Sequence, residues 1–149
     1  MPRFKQISAG AAAGLGLVVV APLLISAAEP GQIDRAALDE KQLAKLDQLL
    51  DGREATGERR CISQRLIRNV TTISNDVLVY NMRNGDVLVN QPVKGCPNLK
   101  NNTLVTNRPV DLLCKGDVAT ITDFRSGVTY GSCQFSMFTE YEKAEEAAD

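Results

Sequence analysis

The stretch 76–90, DVLVYNMRNGDVLVN, sets two apolar runs on either side of Asn84-Gly85. Asn-Gly is the strongest short hairpin signal, because both central residues of a type I′ turn need φ > 0 and these two tolerate it best. A two-residue loop fixes the register: Arg83 opposite Asp86, Met82 opposite Val87, Tyr80 opposite Val89. One face of the hairpin then carries Leu78, Tyr80, Met82, Val87 and Val89 and is a core face. The other face carries the mixed set Asn81, Arg83, Asp86, Leu88 and Asn90.

Outward from this hairpin the chain reads as short strands. Residues 61–66 and 69–73 precede it, with Ser74-Asn75-Asp76 as the turn between. Residues 91–102 are loop-rich, and 103–106, 118–123 and 130–138 read as further strands. In the last of these Cys133, Phe135 and Met137 alternate with Gln134, Ser136 and Phe138. Pro109-Val110-Asp111 and Arg125-Ser126-Gly127 are turns, and 112–114 is a short buried apolar run. The repeated DVLV, at 76–79 and 86–89, makes two similar strands rather than a solenoid.

Ahead of the strands, 34–50 reads as an amphipathic helix with Asp34 as N-cap and Gly52 as C-cap glycine. Leu38, Leu43, Leu46, Leu49 and Leu50 fall within an arc of about 140°, with Lys41 and Lys45 opposite. The protein's own sheet is the expected surface for this stripe. A partner protein or a membrane is the alternative, and the polar face carries too few Lys/Arg for a strong membrane binder. Residues 52–60, GREATGERR, read as a polar joint, and 139–149 as an acidic tail, frayed or disordered. Short strands with hairpin-length links predict antiparallel pairing. The expected fold is therefore mainly β: a small antiparallel barrel or curved sheet, which limits exposed edges, with one N-terminal amphipathic helix.

The first 28 residues read as an export signal. Arg3 and Lys5 precede an uncharged 22-residue run, and Ser26-Ala27-Ala28 offers small residues for cleavage after Ala28. A retained anchor is the alternative, since roughly 20 residues span a bilayer. The first cysteine is Cys61, too far downstream for a lipoprotein anchor. The domain reading is 1–28 signal peptide, 29–56 linker and helix, 57–138 β domain and 139–149 tail. Without the signal peptide the chain carries fifteen basic and eighteen acidic residues, but 57–138 alone is net +4. No basic run is dense enough for a nucleic-acid footprint.

An even count of four cysteines, Cys61, Cys96, Cys114 and Cys133, behind an export signal reads as two disulfides. A four-thiolate metal site is the weaker alternative: there is no CxxC pair and no histidine. Of the three connectivities the nested one, Cys61–Cys133 with Cys96–Cys114, is favoured. It ties the ends of the β region together and staples one excursion within it.

The absence of histidine removes Ser-His-Asp and Cys-His catalysis and every His-ligated metal site. No cofactor, metal or catalytic residue is assigned, and the chain reads as non-enzymatic. Arg59, Arg65 and Arg68 flank Cys61 and are the candidate anion site, the guanidinium offering a planar fork of donors. A solvated strand edge is the plainer reading of them. Asp76, Asp86 and Asp117 stand at strand starts, where an aspartate most often bonds its own turn. The few aromatics are expected to be needed in the core.

Leu50-Asp51-Gly52-Arg53-Glu54-Ala55-Thr56-Gly57, Cys61-Ile62, Cys96-Pro97-Asn98-Leu99, Leu113-Cys114-Lys115-Gly116-Asp117 and Ser132-Cys133-Gln134-Phe135 together resemble a family of small exported proteins of Gram-negative bacteria, classed as a domain of unknown function. The resemblance covers about 49–138 and implies a periplasmic or envelope setting with paired cysteines; it carries no assigned reaction. The expected role is an exported, periplasmic or secreted, interaction or binding module of the cell envelope. Its partner is another envelope protein, with no nucleic acid, and no membrane after signal cleavage. A protease or lysozyme inhibitor presenting loop 92–102 is a variant of that role. The alternatives are a carrier of a small anion, or a hydrolase using two acids among Asp76, Asp86, Asp111, Asp117 and Asp123, roughly 5–9.5 Å apart.

Overall fold

The structure, a computed structural model, describes residues 33–107 and 110–144. The signal-peptide reading of 1–28, the linker at 29–31, Pro109 and residues 145–149 of the acidic tail lie outside the described residues. One helix, α1 (Glu40–Leu50), is followed by ten strands. These are β1 (Arg53–Arg59), β2 (Cys61–Ser63), β3 (Ile67–Thr72), β4 (Leu78–Met82), β5 (Val87–Asn90), β6 (Thr103–Thr106), β7 (Leu112–Cys114), β8 (Val118–Asp123), β9 (Val128–Gln134) and β10 (Phe138–Lys143). They form a five-stranded sheet in the order β1-β10-β5-β4-β3, a three-stranded sheet β6-β8-β9 and a two-stranded ribbon β2-β7. Every strand pairing is antiparallel. The fold is mainly antiparallel β with one helix, as expected; the sheets curve but do not close into a barrel.

The central hairpin forms where the Asn-Gly signal places it, with a longer loop. Gly85 N–H donates to the Met82 carbonyl at 3.1 Å, and Met82 N–H to the Asp86 carbonyl at 2.9 Å. Gly85 alone takes φ +95°, and Asn84 does not adopt positive φ. The loop is therefore a three-residue turn closed by a left-handed glycine, not a two-residue type I′ turn. Tyr80 consequently pairs with Leu88, and Val79 with Val89. One residue of slip moves Val87 and Val89 to the face opposite Leu78, Tyr80 and Met82.

Both faces of β4 and β5 are thereby buried. Leu78, Tyr80, Met82 and Leu88 pack with Phe138 against Ile62, Leu113, Ala119, Ile121 and Phe135 of the smaller sheets and their crossover. Val79, Val87 and Val89 pack against Leu46 and Leu50 of α1, with Leu38 alongside. Each of the two helix leucines contributes about 2 kcal/mol by that burial. The helix thus lies on the protein's own sheet. It begins later than expected: Asp39, not Asp34, is its N-cap, accepting from Gln42 N–H at 2.8 Å while the Gln42 side chain accepts from Asp39 N–H. This is a reciprocal capping box. Gly52 sits just past the helix at φ +64°.

Three segments depart from the sequence reading. The polar joint 52–60 contains β1, an exposed edge strand. The expected strand 130–138 is broken: β9 ends at Gln134, and the chain crosses to the five-stranded sheet at Phe138. The break lets Phe135 and Phe138 enter one core, their rings stacked at 6.1 Å; residues three apart on a continuous strand would face opposite ways. Buried Asn90 holds the crossover, its amide donating to the carbonyls of Ser136 and Met137 at 3.0 and 3.1 Å. Last, 139–143, the start of the expected tail, is not frayed and belongs with Phe138 to one strand. It is β10, inserted between β1 and β5, with Thr139 and Glu140 buried.

All four cysteines are in disulfides, but the nested pairing is corrected to Cys61–Cys114 and Cys96–Cys133. Cys61 stands directly opposite Cys114 across the β2–β7 ribbon, which decides the first bond. Cys96 reaches β9 from a tightly folded loop. There Cys96 N–H donates to the Asn75 carbonyl at 2.6 Å and Leu99 N–H to the Asn75 side chain at 3.1 Å. Gly95 lies in this loop at φ +69°, and a Cβ on it would overlap the Asp76 carboxylate. Gly95→Ala is expected to lower stability in urea unfolding by about 2–3 kcal/mol. Gly57→Ala, where a Cβ meets open space, should cost less than about 0.5 kcal/mol.

Candidate functional site

The three candidate anion-site arginines do not converge, and two of them stand on sheet edges, as the plainer reading has it. Arg59 is on β1 and Arg68 on β3, opposite edges of the five-stranded sheet. Arg65 lies in a short turn between β2 and β3, where its side chain meets Asp111 at 3.5 Å. Arg68 is the extra residue of a bulge in β3 and is solvent-exposed. Arg59 forks onto Glu140, its Nε donating at 2.8 Å and its Nη2 to the other carboxylate oxygen. Asp86 also meets it, at 3.5 Å. The hydrogen bond to Glu140 pushes the Arg59 guanidinium up from its ordinary value. The role is structural: a nearly buried acid on β10 is matched by an arginine on β1.

The aspartates are held by separate sets of partners, within their own turn for Asp86 and Asp117 and across the chain for Asp111. Asp117 accepts from Cys114 N–H at 2.7 Å. Asp111 accepts from the Ser63 hydroxyl at 2.7 Å and from Arg65 N–H at 3.1 Å. Asp86 accepts from the Asn84 amide at 2.6 Å. The Asp76 backbone N–H donates to the Ser74 hydroxyl at 3.1 Å. Among the described residues no group of three or more His, Cys, Asp or Glu could hold a metal ion. None of their helices is long and apolar enough to cross a membrane.

What the fold does present is the β8–β9 end. Asp123 closes this turn by accepting from Arg125 N–H at 2.8 Å and from the Ser126 hydroxyl at 2.7 Å, and Gly127 N–H returns to its carbonyl at 2.8 Å. Phe124 and Arg125 are thereby held at the tip, with Phe124 71% exposed. On β9 the register skips between Ile121 and Thr122, leaving Tyr130 as the bulged residue. Bulges re-aim side chains, and Tyr130 is 43% exposed beside the turn. Phe124, Arg125 and Tyr130 share an open groove of about 610 Å³ with Asn98, Thr103 and Thr122. The sequence marked the turn but not this display: the scarcity of aromatics pointed Phe124 and Tyr130 inward. Only Asp123 beside Ser126-Gly127 could have suggested that the intervening side chains are held outward.

The fold and this surface define a class: a disulfide-stapled, mainly antiparallel β module that displays aromatic side chains on a pinned turn. No family model, no curated protein and no solved structure matches the chain.

Two measurements check the electrostatics. Arg59→Met strips a nearly buried Glu140 of its fork and is expected to cost about 1–2 kcal/mol, the modest size reflecting a half-exposed arginine. The hydrogen bond from Ser126, then that from Arg125 N–H, holds the Asp123 carboxyl below its ordinary value. A ¹³C titration should find it below the usual ~3.9 and rising in Ser126→Ala. Because the folded value is the lower one, what the turn contributes is present at neutral pH and fades as pH falls through that value. An Asp123 titration unmoved by the substitution would contradict the assignment.

Proposed function

We propose that the protein is an exported, non-enzymatic interaction module of the bacterial envelope that docks another envelope protein through its β8–β9 end. Export is supported by the leader, with cleavage after Ala28 releasing the chain into the periplasm, and by the resemblance along 49–138. The two disulfides fit an oxidising, extracytoplasmic compartment. The observation that carries the docking reading is Phe124, 71% exposed on a hydrogen-bonded turn with Tyr130 and Arg125 beside it. Tyr and Arg are enriched among the residues that dominate binding energy, and a pre-ordered turn loses little entropy when it docks. Val128, about half exposed, adds apolar surface next to the turn, opposite Asp123. The anion-carrier alternative lacks a comparable focus, since Arg59, Arg65 and Arg68 are dispersed.

Photo-crosslinking in intact cells at native expression tests this. Benzoylphenylalanine at position 124 is expected to give one discrete adduct, identified by mass spectrometry. The adduct should weaken when Arg125 and Tyr130 are replaced by alanine and be missing when the probe sits at exposed Glu54. Uncoupled protein alone, or adducts of the protein with itself alone, would refute the reading.

A further inference from the structure

The five-stranded and three-stranded sheets part along one side of the molecule. β3 is an edge of the first and β6 an edge of the second, and they do not pair with each other. Between them opens a cleft of about 340 Å³, within the roughly 300–1,000 Å³ typical of small-molecule sites. Its floor belongs to the core: Tyr80, Leu99, Leu113 and Phe135 are each less than 5% exposed. Ile67 and Leu104 form the walls, and Val70 stands at the mouth, 45% exposed. The β3 bulge at Arg68 is what allows this lining. Ile67 and Val70 are three apart, yet the extra residue turns both toward the cleft.

Two properties narrow what fits. Among the described residues lining the cleft none is charged. And Tyr80, 2% exposed, carries a hydroxyl for which no hydrogen-bond partner is found among the described residues, although the ring is fixed edge-on against Phe138 at 5.5 Å. Burial pushes the Tyr80 phenol up from its ordinary value, so it stays protonated and able to donate. The rest of the lining, Gln64, Thr72, Asn102, Thr103 and Thr106, is polar but uncharged.

We infer that the cleft between β3 and β6 binds a small, uncharged, largely apolar molecule bearing one oxygen acceptor, a ketone, ester or alcohol, with the Tyr80 hydroxyl as its hydrogen-bond donor. The site adjoins the Phe124 groove at Asn102 and Thr103 but is built on different side chains, Tyr80, Ile67 and Leu104, and stands or falls independently of the docking reading.

Fluorescence titration of the oxidised protein purified after export tests it. N-phenyl-1-naphthylamine is expected to bind saturably, one per chain, and its sulfonated relative 1-anilinonaphthalene-8-sulfonate at least tenfold more weakly. Nonan-2-one should displace the probe and nonanoate should not. Tyr80→Phe should weaken nonan-2-one about fivefold, the worth of one hydrogen bond. Leu104→Trp, which fills the cleft, should abolish probe binding. If that variant does not fold, Val70→Arg at the exposed mouth decides: it should admit nonanoate by supplying the missing cation. Equal binding of the charged and uncharged probes, no one-to-one saturation, full binding by folded Leu104→Trp, nonan-2-one affinity unchanged in Tyr80→Phe, or nonanoate still excluded by Val70→Arg would each overturn the assignment.

Discussion

Strands β4 and β5 have apolar side chains buried on both faces, and the arrangement of the other elements follows from that. Leu78, Val79, Tyr80, Val87, Leu88 and Val89 are all buried. Antiparallel strands commonly keep one solvated face; continuous apolar runs such as VLVY and VLV suit strands covered on both. The Gly85 turn sets the division. With Tyr80 opposite Leu88, three valines face α1 while Leu78, Tyr80, Met82 and Leu88 face the smaller sheets. A two-residue turn would have gathered Leu78, Tyr80, Met82, Val87 and Val89 on one side and stranded Leu88 on the other. One residue in the left-handed region thus decides whether the protein has one core or two.

The features legible in the sequence are those written locally. The hairpin's position, the helix and its leucine stripe, most strands of the β body and the oxidised state of the cysteines all rest on neighbouring residues. The missed features depend on distant partners. Strand β1, REATGER, is an exposed edge without apolar alternation, and only its ladder with β10 makes it a strand. Strand β10 resembles a solvated tail because Glu140 and Glu142 sit among its residues, yet Arg59, more than eighty positions earlier, gives Glu140 a reason to be there. The capping box at Asp39 was written locally but lay beyond a plausible cap at Asp34. The disulfide pairing depended on the β2–β7 register, which places Cys61 against Cys114.

The candidate sites were less legible than the fold, for a related reason. Residue type marks chemistry only when geometry gathers it. Three arginines close in sequence are dispersed by the sheet order, whereas Phe124 and Tyr130 are brought together by a turn and a bulge that no count of aromatics reveals. The cleft is harder still to foresee. Tyr80 reads as an ordinary core residue, and so it is, except that its hydroxyl meets a seam between sheets rather than a protein acceptor.

That seam connects the stability of the molecule to its openness. Closing the sheets into a barrel would require β3 to pair with β6 and would cover the Gln64 amide in the cleft lining, which would then need a partner. The bulge at Arg68 also interrupts the edge that such a ladder would use. Leaving the seam open forgoes some apolar burial on that side, while the disulfides tie the smaller sheets elsewhere, Cys61–Cys114 across the β2–β7 ribbon and Cys96–Cys133 from a loop to β9, the far strand from β6. In the chain-entropy picture, closing loops of 53 and 37 residues stabilises the fold by about 4 kcal/mol each. This is comparable to the net stability of a small domain. Cross-links of that size let a small β protein keep part of its core within reach of solvent: they act on the unfolded chain and so reinforce the sheets without filling the gap between them.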